Sequence, residues 1–287
     1  MLQTEIKKIN LITGINSVHV IILKPKKLKL ELLSKTLDEW VSYAVEKHSF
    51  EIVEYDGSKI TDFVRPYLKD TKYTLILSAT TPLIQENTVD LIVDYISAKN
   101  SKATKLSVGF AFLTEYLKNS TEIFYDSLFT QNEDEFYVVE NKRQLNIVKK
   151  VMIERINNFH IENGVEIINP STVTIEPDVF IGENVTIYPN NVLKGNSKIL
   201  DDVVLKENNV IEDSIINNGC CIINSKIEKS SIGSHSYIMS YCNILNNSSI
   251  GNYCTIKSYV EIDNFSIEDN KTIESYTKLI NGEKTEW

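Results

Sequence analysis

The sequence lacks a long apolar run, an excess of positive charge and a metal-binding cysteine pattern. No stretch reaches the roughly 18 apolar residues that a membrane-spanning helix needs, so we expect no membrane partner. Acidic residues number 39 against 30 lysines and arginines. The formal net charge of −9 argues against nucleic acid as the main partner, because that partner requires a cationic face. The four cysteines form no CxxC pair, which argues against a zinc site.

The remaining bulk properties are those of an ordinary globular protein. Hydrophobic residues make up 42% and charged residues 24% of the 287 residues, enough for two domains with a buried core. The start, Met1 to Lys8, lacks the pattern of a secretory signal peptide. We therefore predict a cytoplasmic location, where cysteines are expected to be reduced.

In the first half of the chain, apolar runs alternate with amphipathic stretches. The segments 18–23 and 73–77 read as buried strands, and 30–47 and 88–99 read as helices. Alternating strands and helices predict a parallel sheet in an α/β domain. A last helix is predicted over 141–158.

After residue 165 the hydrophobic period becomes six. An aliphatic residue recurs at every sixth position, and a smaller residue stands two positions before it. Three positions after it stands an asparagine or aspartate, in the first repeats Asp178, Asn184, Asn190, Asn196, Asp202 and Asn208. These two residue types tolerate the left-handed backbone conformation that a recurrent tight turn needs. A short fixed repeat is typical of a solenoid, here a left-handed parallel β-helix with about six three-sided coils between 170 and 280. The first run of aliphatic residues is Ile175, Ile181, Ile187, Leu193, Ile199, Leu205 and Ile211.

Two local features of the repeats lead to further expectations. Cys220, Cys242 and Cys254 fall in the small inward column, so we predict that they pack in the core. The segment 212–230 breaks the register, and we predict one irregular turn at Asn217-Asn218-Gly219 as the cause.

The junction between the halves resembles that of the GlmU family. The residues from Arg155 to Pro170, followed by IEPDVFIGENVTIYPNNVLKG over 175–195, carry this resemblance. GlmU is the bifunctional N-acetylglucosamine-1-phosphate uridyltransferase and glucosamine-1-phosphate acetyltransferase. The resemblance implies a reduced Rossmann-like nucleotidyltransferase domain over 1–140, a linker helix over 141–164 and the left-handed β-helix over 165–287. It also implies a homotrimer.

The family's uridyltransferase motifs are altered in this chain. The glycine-rich phosphate loop is missing, and the Pro-Lys pair that follows it in the family corresponds to Pro25-Lys26. Thr80 stands where the family has its magnesium-binding aspartate, and Glu140, followed by Asn141, stands where it has a second metal ligand. The resemblance thus makes Lys26, Thr80 and Asn141 candidates for substrate binding and Glu140 a candidate for metal binding. Mg²⁺ is the only cofactor implied, and only if nucleotidyl transfer persists.

The family's acetyltransferase residues are replaced as well. Leu245 aligns with its arginine, Asp263 with its lysine and Ser275 with its general-base histidine. A serine cannot deprotonate an amine at neutral pH without help. Because the chain stops at Trp287, we also expect it to lack the coils and tail that bind acetyl-CoA in the family. His235 falls in the left-handed turn column, where histidine is tolerated, and is the one weak catalytic candidate in the repeats.

Three functional hypotheses remain from the sequence. The first is a GlmU-like relative in amino-sugar and nucleotide-sugar metabolism, with both active sites eroded, that binds a sugar nucleotide or sugar phosphate or acts as a regulator. The second is a divergent nucleotidyltransferase or acyltransferase acting on an amino-sugar phosphate. The third is a structural subunit of a trimer. Fold alone does not decide among them.

Overall fold

The computed structural model describes residues 18–27 and 29–286. They divide into two compact units, 1–149 and 150–287. The start of the chain, for which we predict no signal peptide, lies outside the described residues. In the part that is described, no helix is long and apolar enough to cross a membrane.

The first unit contains a six-stranded mixed sheet with the strand order β4-β1-β5-β7-β6-β8. Strands β4, β1 and β5 are parallel, whereas β7 runs antiparallel to both β5 and β6. The predicted parallel arrangement is therefore confirmed for the two strands that the sequence predicts, β1 and β5, while β7 adds an antiparallel strand that the sequence analysis does not predict. The elements are β1 Val18–Pro25, β2 Glu31–Leu32, β3 Lys35–Thr36, α1 Leu37–Val45, β4 Ser49–Tyr55, α2 Ile60–Phe63, β5 Tyr73–Ser78, α3 Glu86–Ala98, β6 Ala103–Lys105, β7 Phe110–Leu113, α4 Thr114–Asn119 and β8 Ser127–Leu128.

Two hydrophobic clusters cover the two faces of this sheet. On one face Val20 and Ile22 of β1 pack with Val41, Val89 and Ile92. On the other face Ile21 and Leu23 pack with Phe112 and Leu117. Successive side chains of a strand point to opposite faces, so the unbroken apolar run of β1 lets this strand contribute to both clusters.

The predicted helix over 30–47 is shorter in the structure and begins at Leu37. The residues before it form a hairpin of β2 and β3, because Leu33 and Ser34 adopt left-handed φ values of 51° and 61°. The helix then starts at a capping box, in which the Thr36 N–H donates to Glu39 Oε2 at 2.6 Å and the Thr36 hydroxyl donates to the same oxygen at 2.8 Å. These two hydrogen bonds hold the pKa of Glu39 below its usual value, first through the Thr36 backbone and then through its hydroxyl.

The last helix, α5, spans Lys142–Glu162 and is longer than the predicted 141–158. It crosses the division between the two units, so the segment limits 140 and 164 stay predictions.

The second unit is a parallel β-helix whose coils contribute one short strand to each of three sheets. Strands three apart in the chain pair in register, as in Ile175 with Leu193 and Ile187 with Leu205. The predicted α/β unit and the hexapeptide β-helix are thus confirmed. Its strands are β9 Glu166–Ile167, β10 Thr174–Ile175, β11 Phe180–Ile181, β12 Thr186–Ile187, β13 Val192–Lys194, β14 Lys198–Ile199, β15 Val204–Leu205, β16 Val210–Glu212, β17 Ile215–Ile216, β18 Cys221–Ile222, β19 Lys226–Glu228, β20 Ser231–Ile232, β21 Tyr237–Ile238, β22 Asn243–Leu245, β23 Ser249–Ile250, β24 Thr255–Ile256, β25 Glu261–Asp263, β26 Ser266–Ile267, β27 Thr272–Ile273, β28 Thr277–Ile280 and β29 Glu283–Glu286.

The aliphatic column fills the interior of the β-helix. Ile187 and Leu193 are fully buried, and the half-buried Ile181 packs against the same cluster. Cys220, Cys242 and Cys254 are buried in the small inward column, as predicted. Burial of one such aliphatic side chain stabilises a fold by about 1.5–3 kcal/mol, so the repeated column is the main source of stability in this unit.

The register break over 212–230 has a different cause from the one predicted. Within this segment three sides of the coil are five residues long instead of six, since Ile211, Ile216, Ile222, Ile227 and Ile232 are separated by five, six, five and five residues. The short sides turn at Asp213, Asn224 and Lys229. The prediction of one irregular turn at 217–219 is wrong, because Gly219 occupies an ordinary left-handed turn position with φ of 69°.

The left-handed turn column is confirmed at most of the predicted positions. Four of the six predicted residues have positive φ, namely Asn184, Asn190, Asp202 and Asn208. Asp178 and Asn196 do not, and the glycine before Asn196 takes the left-handed conformation instead. Farther along, tyrosines replace asparagine in one such column and stack face to face, with ring centroids 5.0 Å apart for Tyr241 and Tyr259.

Candidate functional site

A cavity of about 290 Å³ lies at the carboxyl ends of the parallel strands β1, β4 and β5. The chain places β4 on one side of β1 and β5 on the other, so the strand order reverses at this point. Ligands of open α/β sheets bind outside the carboxyl ends of the strands at such a switch point. We call it the switch-point cavity, and its charged residues are Lys24, Lys26, Lys29, Glu31, Asp38 and Glu54.

The electrostatics of the cavity centre on Lys24, the last residue but one of β1. Its Nζ donates to Asp38 Oδ2 of helix α1 at 2.8 Å, and the two side chains are 34% and 12% exposed. Across the β1–β4 pair, Lys24 is in register with Glu54. Lys24 is thus flanked by two carboxylates, whereas the predicted phosphate ligand, Lys26, lies exposed in the turn that follows β1. Sequence reasoning singled out Lys26 but missed Lys24, Asp38 and Glu54.

Thr80, a predicted substrate-binding residue, lies just beyond the end of β5 and is only 6% exposed. Its hydroxyl shares a 2.7 Å hydrogen bond with the Ser78 hydroxyl. Its carbonyl oxygen accepts a 2.8 Å hydrogen bond from the Val139 N–H. Thr80 therefore anchors the segment that precedes α5 to the end of β5, and this contact brings the backbone near Glu140 to the sheet.

The two remaining predicted residues of this domain cap helix α5. Asn141 Oδ1 accepts a 3.1 Å hydrogen bond from the Gln144 N–H, and Gln144 Oε1 accepts a 2.9 Å hydrogen bond from the Glu140 N–H. This reciprocal pattern satisfies backbone donors at a helix start. Both Glu140 and Asn141 are exposed to solvent. An Asn-x-x-Gln pattern before an apolar period is a cap signal that the sequence already contained.

These residues do not fit a magnesium site of the kind that the resemblance implies. Mg²⁺ in proteins is held by carboxylates together with water or phosphate oxygens. Here the aspartate position holds the Thr80 hydroxyl, which is already hydrogen-bonded, so it offers no second carboxylate to the exposed metal candidate Glu140, and the neighbouring Asn141 amide oxygen accepts a hydrogen bond in the helix cap. Among residues 18–27 and 29–286, no group of three or more histidine, cysteine or acidic side chains is placed to hold a metal ion.

His235 occupies a left-handed turn of the β-helix with φ of 56°. Its exposed ring stacks on Tyr253, with centroids 5.1 Å apart and planes 23° apart. On the other side a side chain at position 219 would collide with the His235 ring, which explains the glycine there. The His235 imidazole is thus held in a stack of side chains along one corner of the three-sided β-helix, and the rest of the ring is exposed to solvent.

The positions aligned with the family's acetyltransferase residues form no base in the structure. Leu245 and Asp263 are register partners on neighbouring coils, and Asp263 Oδ1 accepts a 2.8 Å hydrogen bond from Asn246 Nδ2. Ser275 immediately precedes a left-handed turn at Tyr276. These positions hold an apolar side chain, a carboxylate and a hydroxyl, and it stays a prediction that they replace the cations and the imidazole of the family. His235 stays the catalytic candidate that the sequence predicts in the repeats.

The fold and the site define a hexapeptide-repeat β-helix protein with an α/β unit before the repeats. Residues 229–264 match the family model described as "Bacterial transferase hexapeptide (six repeats)". The chain is 35% identical over 111 residues to the bifunctional protein GlmU of Caldanaerobacter subterraneus subsp. tengcongensis, covering 39% of this chain and 24% of that protein. It is 38% identical over 141 residues to GlmU of Clostridium perfringens, covering 49% and 31%. The resemblance to GlmU is thereby confirmed.

The chain spans only about a quarter to a third of the length of the GlmU proteins it matches. Among solved structures, GDP-perosamine N-acetyl transferase from Caulobacter crescentus aligns over 94% of this chain and 96% of its own, at 10% identity and a TM-score of 0.35. The similarity to GlmU covers only part of that longer enzyme. It therefore does not assign the activities of the whole enzyme to this chain.

Proposed function

We propose that this protein is a GlmU-like relative in amino-sugar metabolism that binds a sugar phosphate or sugar nucleotide in the switch-point cavity and transfers no nucleotide. The observation that carries the proposal is a contrast within one unit. A cavity containing three lysines lies where α/β sheets bind ligands. Thr80, at the position aligned with the family's magnesium-binding aspartate, is instead hydrogen-bonded to Ser78, and Asn141, next to the second aligned metal position at Glu140, caps a helix.

Calorimetric titration of the full chain tests the binding. The ligands are UDP-N-acetylglucosamine, UTP and N-acetylglucosamine 1-phosphate, with glucose as an uncharged control. We expect saturable binding of at least one phosphorylated ligand, weakened by Lys26→Gln and unchanged by Lys149→Gln, an exposed lysine of α5 outside the cavity. Failure of all three phosphorylated ligands to bind would contradict the proposal.

Turnover is measured separately, because binding and transfer are distinct claims. The protein is incubated with UTP, N-acetylglucosamine 1-phosphate and Mg²⁺, and pyrophosphate is assayed. We expect no release above the rate without protein. Release that depends on Lys26 would replace the non-catalytic proposal with the divergent nucleotidyltransferase, in which Mg²⁺ would be required and Glu140 would be its first ligand to test.

A second candidate is acyl transfer on the β-helix, and the exposed His235 ring favours it. The residue lies within the segment that matches the transferase family model, and stacking on Tyr253 fixes the ring. A fixed imidazole suits general-base deprotonation of an amine. Free coenzyme A is measured from acetyl-CoA and glucosamine 1-phosphate, with His235→Asn as the test variant and Tyr253→Asn as a variant of the adjacent turn. Thiol release that His235→Asn abolishes would favour this candidate.

We also propose a homotrimer, on the resemblance to GlmU, and a cytoplasmic location stays a prediction. Light scattering coupled to gel filtration measures the mass directly, and a value of one or two chains contradicts the trimer. Co-expression with an intact GlmU tests the remaining alternative, a structural subunit. Mixed trimers would favour that alternative over an independent binding protein.

A further inference from the structure

A second cavity, of about 650 Å³, lies within the second unit, where α5 meets the start of the β-helix. Lys150, Ile153, Glu154 and Asn157 of α5 line one side, and the turn that begins at Pro170 lines the other. Pockets that hold small ligands measure roughly 300–1,000 Å³. We call it the junction cavity, and it shares no lining residue with the switch-point cavity.

Asn157 is 1% exposed and ties α5 to the chain that enters the first coil. Its Nδ2 donates to the Pro170 carbonyl oxygen at 2.9 Å and to the Val173 carbonyl oxygen at 3.0 Å. These two bonds fix which way the amide faces, because a flipped amide would place its oxygen against two carbonyl oxygens. Among the residues that the structure describes, the buried Asn157 Oδ1 has no hydrogen-bond donor.

This unpaired oxygen points to the chemistry of a ligand. A buried acceptor without a partner is costly and is rare in folded proteins. A donor that enters the junction cavity beside Asn157 would pair with Oδ1 and remove this cost. The cavity therefore favours a ligand with an N–H or O–H group over one that presents only acceptors.

Two charged side chains on the same face of α5 specify the ligand further. Lys150, Glu154 and Asn157 are spaced by four and three residues, so they form one stripe along the helix. Along the axis Lys150 lies about 6 Å from Glu154, which lies about 4.5 Å from Asn157. Lys150 and Glu154 are exposed, and in the described part of the chain neither side chain forms an ion pair or a hydrogen bond. Both charges are thus free to contact a ligand.

We infer that the junction cavity binds a free α-amino acid with an apolar side chain. The ammonium group donates to Asn157 Oδ1 and faces the Glu154 carboxylate. The carboxylate of the amino acid faces Lys150, and its side chain packs against Ile153 and Pro170. This inference goes beyond the proposed function, because it assigns a different ligand to the other unit of the chain.

Calorimetric titration of the full chain with L-leucine tests the site, and two analogues each lack one charged group. The compound 3-methylbutylamine lacks the carboxylate, and 4-methylpentanoate lacks the amine. We expect leucine to bind at least about threefold more tightly than the amine, the effect of one favourable pair of exposed charges. We expect 4-methylpentanoate to bind most weakly, because it presents no donor to Asn157. Saturating leucine should also raise the midpoint of thermal unfolding, since it binds the folded chain.

Two pairs of variants assign the charged contacts. Lys150→Gln should abolish the preference for leucine over 3-methylbutylamine, whereas Lys149→Gln, at a neighbouring exposed lysine outside the cavity, should preserve it. Glu154→Gln should weaken binding of leucine and of the amine by a similar factor. Glu162→Gln, at an exposed acid at the end of α5 outside the cavity, should change neither. All four positions are exposed, and thermal melting checks that each variant is folded.

A crystal structure of the leucine complex locates the amine directly, and we expect its nitrogen within about 3.2 Å of Asn157 Oδ1. Absence of leucine binding, equal affinity for leucine and 4-methylpentanoate, or an amine placed away from Asn157 would overturn the inference. Leucine binding that neither Lys150→Gln nor Glu154→Gln changes would overturn it as well. The proposed function is tested separately, because Lys26→Gln should weaken sugar-phosphate binding and leave leucine binding unchanged.

Discussion

Replacement of Gly219 by alanine tests whether the stack through His235 stabilises the β-helix. An added Cβ would overlap Nδ1 of His235 and lie 2.7 Å from its Cε1, so the imidazole has to leave its place over Tyr253. Two costs follow. A left-handed conformation costs a residue with a Cβ about 1–2 kcal/mol, and loss of an aromatic pair costs about 0.5–1.5 kcal/mol.

Gly164→Ala is the matched control for this variant. Gly164 has φ of 90°, and a Cβ built there meets nothing within 4 Å, so its replacement carries only the left-handed cost. We expect Gly219→Ala to lower the free energy of unfolding by about 1.5–3.5 kcal/mol and Gly164→Ala by about 1–2 kcal/mol. Urea unfolding followed by circular dichroism measures both, and the comparison requires equal m-values.

A double variant isolates the contribution of the ring. In a His235→Ala background, Gly219→Ala should cost no more than Gly164→Ala, because the atoms that the new Cβ displaces are gone. Two results would refute the reasoning: equal costs of the two single alanine variants within about 0.5 kcal/mol, or a cost at position 219 that does not depend on residue 235.

Three further predictions concern stability and reactivity. Ile227→Ala should lower the free energy of unfolding by about 2–5 kcal/mol, because Ile227 is fully buried in the solenoid; a cost under 1 kcal/mol by denaturant titration would contradict its inward placement. Thr36→Ala should cost about 1 kcal/mol at neutral pH. Because the folded pKa of Glu39 is lowered, this contribution is present above the unfolded pKa and is lost as the pH falls through the folded pKa, so the variant and the parent should converge in acid unfolding curves. Burial raises the pKa of Cys220 to about 11, so its thiol should resist disulfide reagents at neutral pH until the protein unfolds, and early labelling by mass spectrometry would contradict this.

The β-helix could be predicted from the sequence because one physical requirement repeats many times. Each coil places the same kinds of residue inside and at the turns. A wrong prediction of a left-handed turn at Asp178 or Asn196 therefore does not change the predicted fold, because the neighbouring repeats agree with each other. The five-residue sides could not be predicted, because a turn shortened by one residue looks like a loss of register when only the spacing of aliphatic residues is compared. Burial of Ile216, Ile227 and Ile232 shows that the inward column continues through them.

The candidate site was less predictable, because its main contact joins residues 14 positions apart on a strand and a helix. Nothing in the spacing of Lys24 and Asp38 predicts their ion pair before the β2–β3 hairpin and the later start of α1 are known. The family alignment drew attention to Thr80 and Asn141, which the structure uses for local hydrogen bonds. The Asn-x-x-Gln cap can be predicted from the sequence, whereas the grouping of Lys24, Asp38 and Glu54 around the end of β1 cannot.

The short sides at Asp213, Asn224 and Lys229 also bear on how such a chain can change its length. Loss of one residue within a strand exchanges inner and outer side chains from that point onward. At these corners the residue is missing from the bend and not from a strand. The aliphatic residue of the next side therefore still points inward. Single-codon insertions and deletions at the corners should therefore be tolerated during evolution, whereas the same events two residues away should abolish folding.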